Sequence, residues 1–359
     1  MTQPIKRALA LLTLAVLLPG LTGCDALSPE KQAYVLCLAI DRQEEQLEVT
    51  IQLPKSGGSS DSSAGPEQAS GYAYVSVPAE SLADALERLE VSVPYPLNFS
   101  QLRLIVLSSE YAVATDLREP LRLLLSQRNL RASAQVAVAV GEASAVVRKQ
   151  QPEFGMRMSK HIDNALRTLQ GQGLLPNSAL GRVVAAMEDG DPLLALCAVK
   201  PEQKQEQQPS APAWSEAAAP EAPAEWSDEA TRMFSDVAGA LPRDSENPVE
   251  YLGAALLSAG RAVGLLTGSE MLLFTRLCQD ATLRCAVRQD SLQIQALLPA
   301  TLADATAEVD RLLAKLQGLG SDPLGFALIA AGAFPTDDAL AIYGFRARYA
   351  TASRYVGEK

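Results

Sequence analysis

Cys24 is the residue of this chain best placed for covalent chemistry. It follows Leu21-Thr22-Gly23, at the end of a leader in which Lys6 and Arg7 precede an apolar stretch from Ala8 to Leu18 that only Thr13 interrupts. That stretch has the length of a secretory signal and falls short of the ~20 apolar residues a membrane span requires. A cysteine after Leu-Thr-Gly fits the lipobox pattern, in which the thiol is diacylated and the leader removed. Two acyl chains hold a protein at a bilayer for long times, where one gives only marginal affinity. Residues 1–23 are thus expected to form a lipoprotein signal peptide, with Cys24 as the lipidation site. Residues 24–32 are expected to be a polar tether, reaching about 30 Å when extended at ~3.3 Å per residue.

The other chemistry-bearing residues form no catalytic constellation. His161 is the one histidine, which excludes paired-histidine metal sites and leaves a single base for any triad. Its context, Met158-Ser-Lys-His-Ile-Asp-Asn164, reads as a solvated helix surface. Ser28-Pro-Glu-Lys31 has Ser-x-x-Lys spacing but lies in the tether, without a Ser-Asp-Asn or Lys-Thr-Gly companion. Gly318-Leu-Gly320 has no lysine placed as in a phosphate loop, and reads as a helix end and turn. Glu270 and Asp322 read as cap or surface carboxylates. Cys37 and Cys197 sit in apolar runs, and Cys285 is in phase with Leu283 and Val287, so buried thiols are expected. The spacings match neither a disulfide framework nor a zinc site, and Cys278–Cys285 is the one pairing worth testing. No catalytic, cofactor-binding or metal residue is assigned, and no enzyme activity is expected.

Charge bounds the partners. The full chain carries a net charge of −11, and loss of the leader removes Lys6 and Arg7 and no acid. No basic stripe with interleaved aromatics is present, so nucleic acid is not expected as a partner. By the same bookkeeping an acidic chain gains nothing from an anionic bilayer, which leaves anchoring to Cys24. Aromatics make up 5%, and both tryptophans, Trp214 and Trp226, fall in a Pro-rich stretch, which argues against a ligand-stacking pocket.

The elements that position these residues follow from periodicity. Tyr34–Asp41 and Leu47–Leu53 read as a hairpin, the second strand alternating with Glu48, Thr50 and Gln52. Ser81 caps a helix bearing Leu82, Leu86 and Leu89, with Asp84 at the third position. Leu102–Leu107, Val136–Val140 and Leu193–Val199 read as strands. A leucine-rich helix is expected to begin at Asp116 with Glu119 completing a capping box, and three short helices occupy Glu142–Glu188. Residues 201 to about 230 are rich in Pro, Ala, Gln and Glu and cannot bury enough surface to offset their ordering entropy. A second polar loop spans Lys55–Gly71. Beyond the linker, Tyr251–Leu257 and Ala262–Leu266 are strands joined through Ala259-Gly260, and a helix covers Glu270–Cys278. Thr282–Arg288 and Ser291–Leu298 form a hairpin, Thr301 caps a helix with Leu312, Leu313 and Leu316, and a last helix is expected around Asp337–Tyr355.

The fold class is α+β: two to three small mixed α/β domains, with sheets covered by helices on one face. The expected boundaries are an N-terminal domain at 33–200, a linker at 201–246 and a C-terminal domain at 247–359.

The order of segments resembles the spore germination Ger(x)C-family lipoproteins, the C subunits of germinant receptors. After the lipobox come Val35-Leu-Cys-Leu-Ala-Ile-Asp41 and Leu47-Glu-Val-Thr-Ile-Gln-Leu-Pro54. Asn98-Phe-Ser-Gln-Leu-Arg-Leu-Ile-Val-Leu-Ser-Ser-Glu-Tyr-Ala112 and Arg128-Asn-Leu-Arg131 continue the likeness. Beyond the linker it extends through Tyr251–Ser258, Arg261–Glu270 and Leu316–Phe326. The chain departs from the pattern in having Asp-Ala-Leu after Cys24, an enlarged linker and an early end after Tyr355. The resemblance implies a non-catalytic, lipid-anchored subunit on the outer face of the inner spore membrane, working with two integral membrane subunits to trigger germination. It implies no germinant pocket in this subunit, so direct small-molecule binding is not assigned. The alternative class is a solute-binding lipoprotein of a membrane transporter.

Overall fold

The computed structural model describes residues 31–43, 46–55, 71–152, 156–199, 247–280, 282–288, 291–298, 305–319, 346–349 and 353–354. The leader, Cys24 and most of the tether lie outside them. In chain order the elements are β1 (Ala33–Tyr34), β2 (Cys37–Gln43), β3 (Gln46–Pro54), β4 (Tyr72–Ala79), α1 (Leu82–Ser92), β5 (Leu97–Asn98), β6 (Leu104–Ser108), α2 (Ser109–Ala114) and α3 (Arg118–Ser126). There follow β7 (Gln135–Ala139), α4 (Ala143–Lys149), α5 (Met158–Gly171), α6 (Leu180–Asp189), β8 (Leu193–Val199), β9 (Val249–Ser258), β10 (Arg261–Leu266) and α7 (Gly268–Asp280). The chain closes with β11 (Thr282–Arg288), β12 (Ser291–Leu298), α8 (Thr306–Leu319), β13 (Arg346–Tyr349) and β14 (Ser353–Arg354).

The architecture is mixed α/β, with helices flanking the sheets. The larger sheet has eight strands in the order β10-β9-β8-β7-β6-β2-β3-β4. Its centre, β2, β6, β7 and β8, is parallel, and the antiparallel pairs lie to either side. Central parallel strands need cover on both faces, which is why Leu104–Ser108 is buried along its whole length. On one face, Leu38, Ile40, Ile105 and Val138 join Leu86 and Leu89 of α1, Leu121 and Leu124 of α3 and Val183 of α6. On the other, Cys37, Val106 and Ala139 meet Val146 of α4 and Ile162 and Leu166 of α5.

The two strands after the linker complete this sheet. β9 pairs antiparallel with β8, Val199 opposite Val249 and Cys197 opposite Tyr251. The expected boundary at 201–246 therefore divides the chain but not the hydrogen-bond ladder. The β9–β10 connection is the expected Ala259-Gly260, with both residues at positive φ (50° and 80°). Two left-handed residues give the tight turn whose twist matches the flanking strands. A Cβ on Gly260 would stand 2.3 Å from Asp116 Oδ1, so any side chain there would have to displace the Asp116–Arg118 pair.

A second core lies on the far side of β9 and β10, where Ala254, Leu256 and Leu266 meet Phe274 and Leu277 of α7 and Val309, Leu312 and Leu316 of α8. Lys315 of α8 pairs with Glu270 of α7 at 3.0 Å. β11 and β12 form the expected hairpin, and β12 also takes β13 and β14 in parallel.

Two expectations are corrected. The helix expected to begin at Asp116 starts at Arg118, with Leu117 at its N-cap and no side-chain cap bond. Asp116 instead accepts the Arg118 backbone N–H at 3.1 Å and its guanidinium at 2.6 Å, and this bonding to Arg118 holds its carboxyl below the usual carboxylate range. The last helix expected around Asp337–Tyr355 is, over its described part, the strands β13 and β14. Arg346, Ala347, Arg348 and Tyr349 suit a period of two, and pairing with β12 covers backbone groups that an edge would leave open.

Because Val199 and Val249 are ladder partners, the linker is a loop closing a hydrogen-bonded pair. Deleting residues 201–230 shortens that loop from roughly 50 to roughly 20 residues, which should stabilise the fold by about 1 kcal/mol. Urea unfolding of the truncated chain checks this, and a large loss of stability would give the segment a structural role.

Candidate functional site

The residues marked out at sequence level fall mostly into structural roles. Asp41, at the end of the Val35–Asp41 segment, is buried. Its Oδ1 accepts Ala143 N–H at 2.7 Å and its Oδ2 accepts Ser144 N–H at 2.8 Å. A carboxylate from β2 thus caps α4, whose own Glu142 makes no cap bond. Thr50 and Gln52, in the next segment, are also buried. Thr50 shares a hydrogen bond with Ser76 at 2.8 Å, and Gln52 donates to the Tyr74 hydroxyl at 3.3 Å. Arg148 of α4 donates to the same Ser76 at 2.6 Å and lies 5.6 Å from the Tyr74 ring centre. These polar residues seat α4 on the sheet.

A second buried polar group joins β9 to the body. Asn247 Oδ1 accepts Val249 N–H at 3.1 Å and Gln151 N–H at 3.4 Å. With that oxygen occupied, the amide presents its NH2 to His161 Nε2 at 3.0 Å, so the ring nitrogen there is the acceptor. Beside it, Gln150 donates to the Tyr251 hydroxyl at 2.6 Å. Burial drives the Tyr251 hydroxyl well above its ordinary value. His161 was expected on a solvated surface and is instead buried. Its partner stands in sequence at the far side of the linker, so no local pattern announces the contact.

Glu270 closes a reciprocal cap on α7: it accepts Thr267 N–H at 2.9 Å while Thr267 Oγ1 accepts Glu270 N–H at 3.3 Å. Asp322, Ser28 and Gly320 lie outside the described residues. Cys37, Cys197 and Cys278 are free thiols, and the side chain of Cys285 lies outside the described residues. Burial pushes the thiols of Cys37 and Cys197 far up and that of Cys278 to about 12. None is a ready thiolate at neutral pH. Among the described residues no group of three or more His, Cys, Asp or Glu could hold a metal ion. No described helix is long and apolar enough to cross a membrane.

Two recesses stand out among the described residues. One of about 380 Å³ lies between α6 and α7, walled by Leu175, Val183, Met271 and Phe274 with Arg182 and Asp191 among its lining residues. The other, about 360 Å³, is lined by Tyr34, Leu36, Pro54, Tyr72, Gln101 and Arg157, where the chain enters the sheet.

Residues 25–199 match the family model for the spore germination protein N-terminal domain. Among solved structures, the crystal structure of the GerBC protein is similar at 13% identity over 88% of this chain and 96% of that one. The TM-score is 0.38, a superposition too loose to bear on the fold. No curated protein sequence matches the chain.

The matched segment contains Asp41, and its cap can be tested apart from function. Asp41→Ala leaves one buried and one part-buried N–H unpaired and should cost about 2 kcal/mol, with Asp41→Asn costing less. Asn247→Ala should cost about 2 kcal/mol by orphaning His161 Nε2 and the Val249 N–H. Urea unfolding measures both, and hydrogen exchange should quicken in β9 for Asn247→Ala and around α4 for Asp41→Ala.

Proposed function

We propose that this chain is a lipid-anchored, non-catalytic subunit of a nutrient-germinant receptor, held through Cys24 on the outer face of the inner spore membrane. The match of residues 25–199 to the spore germination protein N-terminal domain carries the reading. The work of such a subunit is contact: it assembles with two integral membrane subunits, and the anchor confines it to their surface. The residue chemistry is in keeping with this. The buried acid, histidine and amides are engaged in holding elements together, and the described thiols are protonated.

The experiment is affinity capture of the tagged full chain from detergent-solubilised spore membranes, followed by mass spectrometry. Two polytopic proteins recovered in comparable amounts are expected. Recovery of the chain alone would overturn the reading in favour of a solute-binding lipoprotein. Cys24→Ala is expected to keep the fold and slow germination, because the mutant loses the local concentration that anchoring gives. Equal germination rates, with the mutant verified as unlipidated, would count against the anchored role.

A further inference from the structure

The point at which the tether meets the folded body is fixed. β1 pairs in parallel with β5, Ala33 opposite Leu97, and Ala33 N–H donates to Pro96 O at 3.0 Å. One residue earlier, Asn98 donates to the Gln32 side chain. The body is therefore clamped at residue 32, about nine residues and at most ~30 Å from Cys24.

The same clamp carries the most exposed large apolar side chains among the described residues. Val91 is 87% exposed and Tyr95 49%, and Pro94 and Pro96 beside Tyr95 are exposed too. Tyrosine with a neighbouring aliphatic is what a bilayer interface accommodates. The charge agrees. Lys31, Lys55, Arg128, Arg131 and Arg157 are exposed, and all lie where β2, β6 and β7 begin or β3 ends. None is in an ion pair among the described residues. The described acids at this end are Glu90 beside Val91 and Asp163, which pairs with Arg103 at 3.5 Å; in sequence Glu30 precedes Lys31 and Glu153 lies shortly before Arg157. Among the described residues, cations thus outnumber acids where the tether emerges from an acidic chain.

We infer that this end, with Val91 and Tyr95 at the interface and the five cations over the headgroups, lies directly on an anionic bilayer and sets the orientation of the subunit. The inference rests on the anchored reading above. The opposite end of β6, from which α2 departs with Val113 at 43% exposure, then faces away from the lipid.

The test uses the full chain, expressed with its leader in a bacterium. Trp214→Phe and Trp226→Phe remove the native tryptophans, and Tyr95→Trp or Val113→Trp supplies a single reporter. Each chain is reconstituted in phosphatidylglycerol–phosphatidylethanolamine vesicles with or without brominated acyl chains, and intact mass establishes the lipid on Cys24. Expected is a blue-shifted emission at position 95 that is lost to bromine quenching, with no loss at position 113. Quenching at 95 should weaken when the five cations are replaced by Gln. An acylated chain whose emission at 95 is the same in both vesicle types overturns the orientation while leaving the anchor standing. A chain whose mass shows no lipid overturns the anchored reading, and the orientation with it.

Discussion

The antiparallel pairing of β8 with β9 is the constraint on which the rest of the structure depends. β8 closes the parallel centre of the sheet, and β9 arrives only after the whole linker. Because successive side chains of a strand point to opposite faces, β9 serves cores on both faces of the sheet, Val249 and Tyr251 going to the one against α4 and α5. Leu252, Ala255 and Leu257 go to the first core, and Ala254 and Leu256 to the core beneath α7 and α8. Gly253, between them, has φ of 81°, and a Cβ there would lie 2.2 Å from Leu266 O. The strand is thus a shared wall, and the units on either side of it cannot separate without breaking the ladder.

That sharing decides how much was legible in the chain. Elements came through well where the signal is local: the Ser81 cap, the β11–β12 hairpin and the Ala259-Gly260 turn all stand where residue patterns place them. Organisation across the linker did not. The periodicity of Tyr251–Leu257 says strand, but nothing in it says whose sheet the strand joins. His161 fails for the same reason, because its burial is created by Asn247 and not by its neighbours in sequence. Asp116 was misread because a short acidic side chain before a helix can serve a cap or a neighbouring guanidinium, and Arg118 two residues on offers the stronger, charge-assisted partner. At Arg346–Tyr349, two arginines alternating with alanine and tyrosine are as compatible with a strand's period of two as with a helix.

The segments through which the chain resembles germinant-receptor subunits turn out to specify the fold. Asp41 caps α4, Thr50 and Gln52 seat it, and Tyr251 receives Gln150. Each such residue has a defined partner to satisfy, because a buried donor or acceptor left unpaired is costly. Residues whose work is contact with a partner protein stand under no such local rule. They sit on loops and helix ends, where composition varies freely and one sequence gives no period to follow. A sequence can therefore resemble a family in the segments that specify its fold and still leave an interface unread.

Net charge misleads in the same way. Read as a total, −11 argues that an anionic surface repels this chain. Charges act across salt water only within about 8 Å at physiological ionic strength. An acidic residue on the far side of the body, several such lengths away, contributes almost nothing at the bilayer. What counts is the set of groups that the tether can bring to the surface, and the clamp between β1 and β5 selects that set by fixing where the chain emerges. Lys31, Lys55, Arg128, Arg131 and Arg157 fall within it, and each cation near an anionic leaflet is worth about 1 kcal/mol. On the anchored reading the lipid supplies the residence time and the basic end supplies the direction. An anchor alone would leave the body free to turn; an anchor beside a basic, tyrosine-bearing end presents one fixed face to membrane partners.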